Sequence, residues 1–211
     1  MAFPTAPILF DGKTPDAGPP PSSDFTSSVN SGDGGMKVIS EKIAPDTETS
    51  SAMWNARYTY SQEVYAQVDA LMEGGPDSLE LFASIADGDT ATPDGYIFRF
   101  WSQTGAGVGR LELDRMDGGS FTRLTDVAQT IVVGDQLGGE NNLGTLRFYV
   151  NGVEKASASD FTYGEGYIGL GTRADNLLAT RFSKFGGGGK PAVAPDTSAF
   201  PSPPPGGSAK T

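Results

Sequence analysis

The clearest fold signal in the sequence is Leu146-Arg-Phe-Tyr-Val150, followed by Asn151-Gly152 and Val153-Glu-Lys-Ala-Ser-Ala158. Two strand-like runs flank an Asn-Gly pair, and this pair supplies the two positive-φ positions of a type I′ turn. The stretch therefore predicts a β-hairpin closed by a two-residue turn.

Strand and turn signals of the same kind continue on both sides of this hairpin, over residues 36–185. Residues 62–71 alternate small apolar side chains with larger or polar ones, the period of a strand with one buried face. Asp117-Gly118-Gly119 predicts a second hairpin, between residues 108–116 and 121–124. No stretch has a helical period. About ten short strands separated by turns predict an all-β fold, an antiparallel two-sheet sandwich of jelly-roll type.

Many of the 29 glycines and 15 prolines lie towards the two ends of the chain. Residues 1–35 are interpreted as an N-terminal arm, in which Ile8-Leu9-Phe10 is the apolar run able to add an edge strand. Residues 186–211 are interpreted as a Gly/Pro-rich C-terminal tail. The sandwich domain is predicted to occupy residues 36–185.

Several kinds of chemistry are excluded by composition. The chain has no cysteine and no histidine, which removes disulfides, cysteine or histidine metal ligands, and imidazole acid-base catalysis. We therefore expect a protein that is not an enzyme. A net charge of -11 argues against nucleic-acid and anionic-membrane partners, because both attract Lys and Arg.

The first residues, Met1-Ala-Phe-Pro-Thr-Ala-Pro7, lack a basic start and an uninterrupted apolar run. They are not typical of a secretory signal, and no stretch elsewhere is apolar enough to span a membrane. Synthesis in the cytoplasm is the expectation.

Four motifs, taken in order, resemble a known family. They are Asp94-Gly-Tyr-Ile-Phe-Arg-Phe100, Arg110-Leu-Glu-Leu-Asp-Arg-Met-Asp-Gly-Gly119, Leu146-Arg-Phe-Tyr-Val-Asn-Gly-Val153 and Tyr163-Gly-Glu-Gly-Tyr-Ile-Gly-Leu-Gly171. Together they are similar to the concanavalin A-like, or laminin G-like, jelly rolls. Phe10-Asp11 and Ala17-Gly-Pro-Pro-Pro-Ser-Ser-Asp-Phe-Thr26 look like the opening of such domains in minor tail proteins of actinobacterial bacteriophages.

The resemblance implies a virion protein and transfers no catalytic residue. The first hypothesis is a minor tail or surface-exposed virion component that binds other virion proteins through its arms, assembles as an oligomer and contacts a host glycan. A capsid decoration protein is one alternative. A free carbohydrate-binding module and a glycosidase are the others.

The glycosidase alternative depends on Glu112, Asp114 and Asp117. Laminarinase-like members of the family carry Glu-x-Asp-x-x-Glu, and the third carboxylate here is Asp. On a strand, Glu112 and Asp114 share a face about 7 Å apart, a spacing compatible with two-carboxylate hydrolysis. The simpler interpretation is that both acids lie on a solvated strand face, because Leu111 and Leu113 form the alternate, core-facing set.

Two further sets of residues are candidate ligand contacts. Asp87 and Asp89, with Asp94 nearby, offer oxygen ligands for calcium, which laminin G-like relatives hold at a sandwich rim. The alternative is that these residues only form turns, because Asp and Gly are common turn residues. No other cofactor is predicted. For sugar binding, the aromatic residues that stack on pyranose rings are predicted to be Tyr65 and Trp101, while most other aromatics pack in the core.

Overall fold

The computed structural model describes residues 3–5, 8–10, 25–27, 36–39, 42–45, 49–59, 61–71, 78–86, 93–102, 107–173 and 181–190. Within these residues the chain forms strands and turns, and no helix. The same residues accordingly include no helix long and apolar enough to cross a membrane. The predicted tail beyond residue 190 lies outside the described residues.

The strands form two antiparallel sheets, which we call sheet A and sheet B. Sheet A has the order β13 (Val153–Ser159), β12 (Thr145–Val150), β11 (Gln136–Asn142), β6 (Ser61–Ala70), β15 (Arg181–Gly189), β4 (Lys42–Pro45) and β3 (Met36–Ile39), and β1 (Ile8–Phe10) also pairs with β15. Sheet B has the order β10 (Ser120–Thr130), β9 (Val108–Asp117), β8 (Gly95–Ser102), β7 (Ser78–Ile85), β14 (Gly166–Arg173), β5 (Thr49–Tyr58) and β2 (Phe25–Ser27).

The core lies between the two sheets and follows the period-two pattern of the sequence. In β6, Val64, Ala66 and Val68 face inward and are buried. Phe98 of sheet B meets Phe148 of sheet A edge-on, with ring centres 5.7 Å apart. The predicted two-sheet antiparallel sandwich is confirmed, because alternate residues from both sheets fill one apolar layer.

Both predicted hairpins are present. Asn151 and Gly152 have φ of 52° and 75° and join β12 to β13, as a type I′ turn requires. The Gly118-Gly119 turn joins β9 to β10, which continues to Thr130, beyond the predicted end at residue 124.

Three segments differ from the sequence interpretation. β11 was not predicted, because Gln-Leu-Gly-Gly-Glu-Asn-Asn has little strand propensity. β15 extends to Gly189, four residues past the boundary at 185, because the glycine run pairs with β6 from Tyr65 to Gln62. In the N-terminal arm, Phe25–Ser27 forms β2 against β5 and was not predicted, whereas the apolar run Ile8–Phe10 pairs with β15 as the predicted added strand.

A buried polar bridge joins the sheets at one end of the sandwich. The Ser84 amide donates a hydrogen bond to Gln62 Oε1 at 2.8 Å, and Asn141 Nδ2 donates to Ser84 Oγ at 2.8 Å. All three residues are fully buried. A buried polar group is costly unless it is hydrogen-bonded. The bridge therefore fixes the relative position of the two sheets at this end of the sandwich, next to its loops.

Candidate functional site

The two aromatic residues predicted to bind sugar, Tyr65 and Trp101, lie in different sheets. Tyr65 is on the outer face of sheet A, only 3% exposed, and the Phe3 ring meets it edge-on at 6.5 Å. Trp101 is half-buried on the outer face of sheet B, with the Arg99 guanidinium 5.7 Å from its ring centre. The structure does not bring the pair together, and sugar binding by either residue stays a prediction.

Of the three predicted calcium ligands, only Asp94 is among the described residues; Asp87 and Asp89 lie outside them. Asp94 Oδ1 accepts a hydrogen bond from the Gly118 amide at 2.6 Å, which ties the β7–β8 connection to the β9–β10 turn. The part of the chain that the structure describes contains no group of three or more acidic residues placed to hold a metal ion. A calcium site that includes Asp87 and Asp89 stays a prediction.

The predicted carboxylate pair lies on the outer face of sheet B, as the alternation with Leu111 and Leu113 requires. Arg123 pairs with Glu112 at 2.6 Å and also with Asp114. Arg99 contacts Asp114 at 3.5 Å and Glu80 at 2.8 Å. The expected solvated position is wrong for both acids: Asp114 is 1% exposed and Glu112 is 9% exposed, because they are packed among these guanidinium groups. Both acids of the pair are thus engaged in ion pairs.

A pocket of about 530 Å³ opens at the bridged end of the sandwich. Two connections form it: the turn between β11 and β12, which contributes Leu143, and the loop between β13 and β14. That loop contributes Phe161, Thr162, Gly164 and Glu165. The volume lies in the range of small-molecule binding sites. We call this feature the end pocket.

The pocket loop is held by Asp160, its first residue. Asp160 Oδ1 accepts hydrogen bonds from the Tyr96 hydroxyl at 2.8 Å and from the Thr162 amide at 2.9 Å. Asp160 Oδ2 pairs with Arg115 at 2.7 Å. Burial alone would oppose ionisation, but hydrogen bonds from Thr162, Tyr96 and Arg115 outweigh it and lower the pKa of Asp160 to about 2.

A second set of contacts fixes the middle of the loop at Tyr163. Its hydroxyl donates to Asp117 Oδ1 at 2.6 Å, and its amide donates to the Tyr96 hydroxyl at 3.1 Å. Burial, reinforced by the hydrogen bond to Asp117, raises the pKa of Tyr163 to about 12. Hydrogen bonds from Tyr163 and Arg115 lower the pKa of Asp117. Asp117, the third residue of the predicted carboxylate motif, therefore stabilises the loop.

The turn that forms the other wall is linked to the same loop through Asn141. Its side chain donates to the Tyr163 carbonyl at 2.9 Å and accepts from the Gly144 amide at 2.9 Å. The Asp160 amide donates to the Gly144 carbonyl at 2.9 Å. Both walls of the end pocket are thus preorganised by buried or half-buried hydrogen bonds.

Two large apolar side chains at this rigid pocket face solvent. Phe161 is 76% exposed and Leu143 is 62% exposed. Leu143 also has a φ of 52°, a left-handed backbone that a branched side chain rarely adopts. At the polar edge, Glu165 pairs with Arg57 at 3.7 Å. An aromatic ring can stack on an apolar ligand surface, while a neighbouring carboxylate and guanidinium orient the hydroxyl groups of the ligand.

Sequence interpretation missed Phe161. The signal is Asp160-Phe-Thr-Tyr163, where an aromatic residue stands directly after a loop-forming Asp and outside any strand. A core aromatic of this fold belongs in a strand, so an aromatic in a loop of the sandwich domain is a candidate for exposure.

Comparisons with known proteins establish the fold. No family profile matches the chain, and no curated protein sequence matches it either. A carbohydrate-binding module, CBM66, from Bacillus subtilis has a TM-score of 0.61 at 17% identity, covering 78% of this chain and 95% of that one.

Two further solved structures are similar. The potassium-bound carbohydrate recognition domain of Emp46p has a TM-score of 0.57 at 11% identity, covering 79% of this chain and 88% of that one. A legume lectin-like domain from Entamoeba histolytica has a TM-score of 0.56 at 11% identity, covering 80% and 91%. The chain therefore has the jelly-roll sandwich seen in galectin-like and legume lectin-like domains, and identities this low speak to the fold alone.

Proposed function

We propose that the protein is a carbohydrate-binding module whose ligand site is the end pocket. The observation that carries the proposal is the Phe161 ring, largely exposed on a loop that Asp160 and Tyr163 hold rigidly. An exposed aromatic on a fixed loop offers apolar contact area with little further loss of conformational entropy on binding.

The chemistry around the ring suits a pyranose. A sugar ring stacked on Phe161 places its C–H surface on the aromatic face and its hydroxyls towards the pocket edge. There Glu165 accepts hydrogen bonds and Arg57 donates them. The carbohydrate-binding module and carbohydrate recognition domain that share the fold support this proposal by analogy.

The first experiment compares Phe161→Ala with Phe121→Ala on a glycan array, followed by calorimetry with the strongest ligand. Phe121 is a matched control, because it is 55% exposed and lies on the outer face of sheet B near Arg99. We expect Phe161→Ala to weaken binding at least tenfold, about 1.4 kcal/mol, and Phe121→Ala to leave it unchanged.

Loss of binding in Phe121→Ala alone would transfer the site to the surface that contains Trp101. Absence of any glycan ligand for the unmodified protein would overturn the proposal. Neither substitution should change the free energy of unfolding by more than about 0.5 kcal/mol, since both side chains are exposed.

We also propose the biological setting that the sequence resemblance implies, a bacteriophage virion component displaying this domain. A minor tail position predicts few copies per particle, and capsid decoration predicts a copy number matching the capsid lattice. Quantitative mass spectrometry of purified particles separates the two.

Virion partners bound through the arms would protect the arms from protease in the particle but not in the free chain. Equal cleavage in both would count against this setting.

Glycoside hydrolysis is the weaker alternative, because Glu112 and Asp114 are ion-paired with Arg123 and Arg99. We therefore propose that the protein binds sugar without cleaving it. Incubation with the array ligands, followed by mass spectrometry of the sugars, should detect no shortened product. A product whose formation Glu112→Gln abolishes would reverse this assignment.

A further inference from the structure

Residues Phe3, Pro4 and Thr5 lie across the outer face of sheet A. The Phe3 ring stacks on Tyr149, with ring centres 4.1 Å apart and planes within 7° of parallel. Beneath it, a Cβ added to Gly138 would lie 2.1 Å from Phe3 Cε1. This part of the face is therefore shaped to receive a flat ring on a tyrosine platform. We call it the sheet A cleft.

Thr5 fills the polar half of the cleft. Its amide donates to Glu63 Oε2 at 2.6 Å, and its hydroxyl donates to Glu63 Oε1 at 2.9 Å. One carboxylate thus receives two neighbouring donors, one on each oxygen. Two adjacent hydroxyls of a sugar can present the same pair of donors to a carboxylate.

The base of the cleft is a buried charged cluster. Glu63 and Glu140 are 0% and 1% exposed, although both project from the outer face of the sheet. Lys190 Nζ contacts Glu140 at 2.5 Å and Glu63 at 3.3 Å. The Tyr149 hydroxyl donates to Glu140 at 2.6 Å, and Arg147 contacts the same carboxylate at 3.3 Å.

Burial opposes ionisation of Glu140, but hydrogen bonds from Lys190 and Tyr149 outweigh it and lower the pKa of that carboxyl. Burial likewise opposes the charge of Lys190, and its contacts with Glu140 and Glu63 raise its pKa. Burying charges is expensive even when they are paired. A surface that only had to hold a Phe-Pro-Thr segment would be more stable with apolar residues, so this charged base points to a polar ligand.

We propose that the sheet A cleft is a second carbohydrate site, which binds a pyranoside with two adjacent hydroxyls and which Phe3–Thr5 occupies in the absence of that ligand. The sugar ring replaces Phe3 on Tyr149, and its two hydroxyls replace the donors of Thr5 on Glu63. The proposal extends the proposed function to a separate surface and does not use the end pocket.

The test uses a variant of the full chain that opens the cleft, Phe3→Ala with Thr5→Pro. This variant removes the stacked ring and both donors to Glu63. Methyl α-D-mannopyranoside and methyl β-D-galactopyranoside serve as probes. Amide NMR signals of Gly138 and Glu140 report the cleft, and those of Gly164 and Glu165 report the end pocket.

We expect the cleft signals to shift and saturate with at least one probe in the opened variant, at a concentration at least tenfold lower than in the unmodified protein. Adding Tyr149→Ala to the opened variant should abolish these shifts. Unchanged circular dichroism of the opened variant shows that the fold is retained.

The two sites are scored separately, so each proposal fails on its own. Cleft signals that stay fixed in a folded opened variant with both probes would overturn the second site, whatever the pocket signals do. Cleft shifts without pocket shifts would leave the second site standing and remove these two glycosides as ligands of the end pocket.

Discussion

Leu143 is held at a φ of 52° at the tip of a two-residue turn, although a leucine there strains the backbone. Asn adopts this conformation more readily. We therefore expect Leu143→Asn to raise the free energy of unfolding by about 1 kcal/mol in urea titrations, and to weaken sugar binding because one pocket wall is lost.

Leu143→Ala is the matched control for this prediction. It shortens the side chain but retains the left-handed strain, so we expect no gain in stability. An asparagine variant no more stable than the alanine variant would contradict the claim that the left-handed backbone at position 143 is strained.

Asp160 makes the stability of the pocket loop depend on pH. Its pKa of about 2 in the folded chain lies below the ordinary Asp value of about 3.9. Its contribution is complete above about pH 4 and is lost as the pH falls towards 2. We expect Asp160→Asn to lower the free energy of unfolding by about 1–2 kcal/mol at neutral pH and to reduce its loss between about pH 4 and pH 2.

Urea unfolding at several pH values measures both effects. Glu154→Gln is the control, because Glu154 is half-exposed in its contact with Arg147 and a surface ion pair contributes little. An Asp160→Asn variant with the acid sensitivity of the unmodified protein would show that another carboxyl controls the transition.

The sequence predicts the direction of some site residues but not their exposure, because direction depends on local alternation and exposure depends on distant contacts. Trp101 and Tyr65 lie in strands whose alternation is visible in the sequence, so their outward direction could be predicted. The contact of Tyr65 with Phe3 could not, because the two residues are more than sixty positions apart in the sequence. Phe161 is exposed because of where Asp160 and Tyr163 are tied, and these contacts join loops far apart in sequence.

Among the elements, β11 contains two adjacent glycines, Gly138 and Gly139. Their small size is required on the outer and the inner face of sheet A, respectively. A Cβ at Gly139 would lie 2.5 Å from Cδ2 of the buried Phe98 ring. We expect Gly139→Ala to lower the free energy of unfolding by about 1–3 kcal/mol through overpacking.

Gly189→Ala, in β15, is the control for this prediction, because its Cβ would meet neighbours only at 3.5 Å or more. Thermal unfolding followed by circular dichroism compares the two. Equal melting temperatures for both variants would mean that the core opposite β11 is looser than the structure indicates.

Some strands form because of signals in their own sequence, and others form because of their neighbours in the sheet. The β12–β13 hairpin and the β9–β10 hairpin carry their own turn chemistry, so sequence alone predicted them. β11 and the glycine-rich end of β15 form because neighbouring strands leave room for small residues and hydrogen-bond them. Such strands have no propensity signal, and only the assembled sheet accounts for them.

In the whole molecule, three surfaces formed by the described residues are candidates for binding. The outer face of sheet B holds the ion pairs of Arg99 and Arg123, and that of sheet A holds the cleft under Phe3. The end pocket lies where the Gln62–Ser84–Asn141 bridge joins the sheets. The all-β architecture followed from the sequence, while the choice among these surfaces required the structure.

A crystal structure of the protein with its strongest array ligand would show whether the end pocket binds sugar. We expect a sugar ring stacked on the exposed face of Phe161, with carbon atoms about 4 Å from the ring and hydroxyls towards Glu165 and Arg57. A sugar bound on the outer face of sheet B beside Trp101, with the end pocket empty, would contradict this expectation.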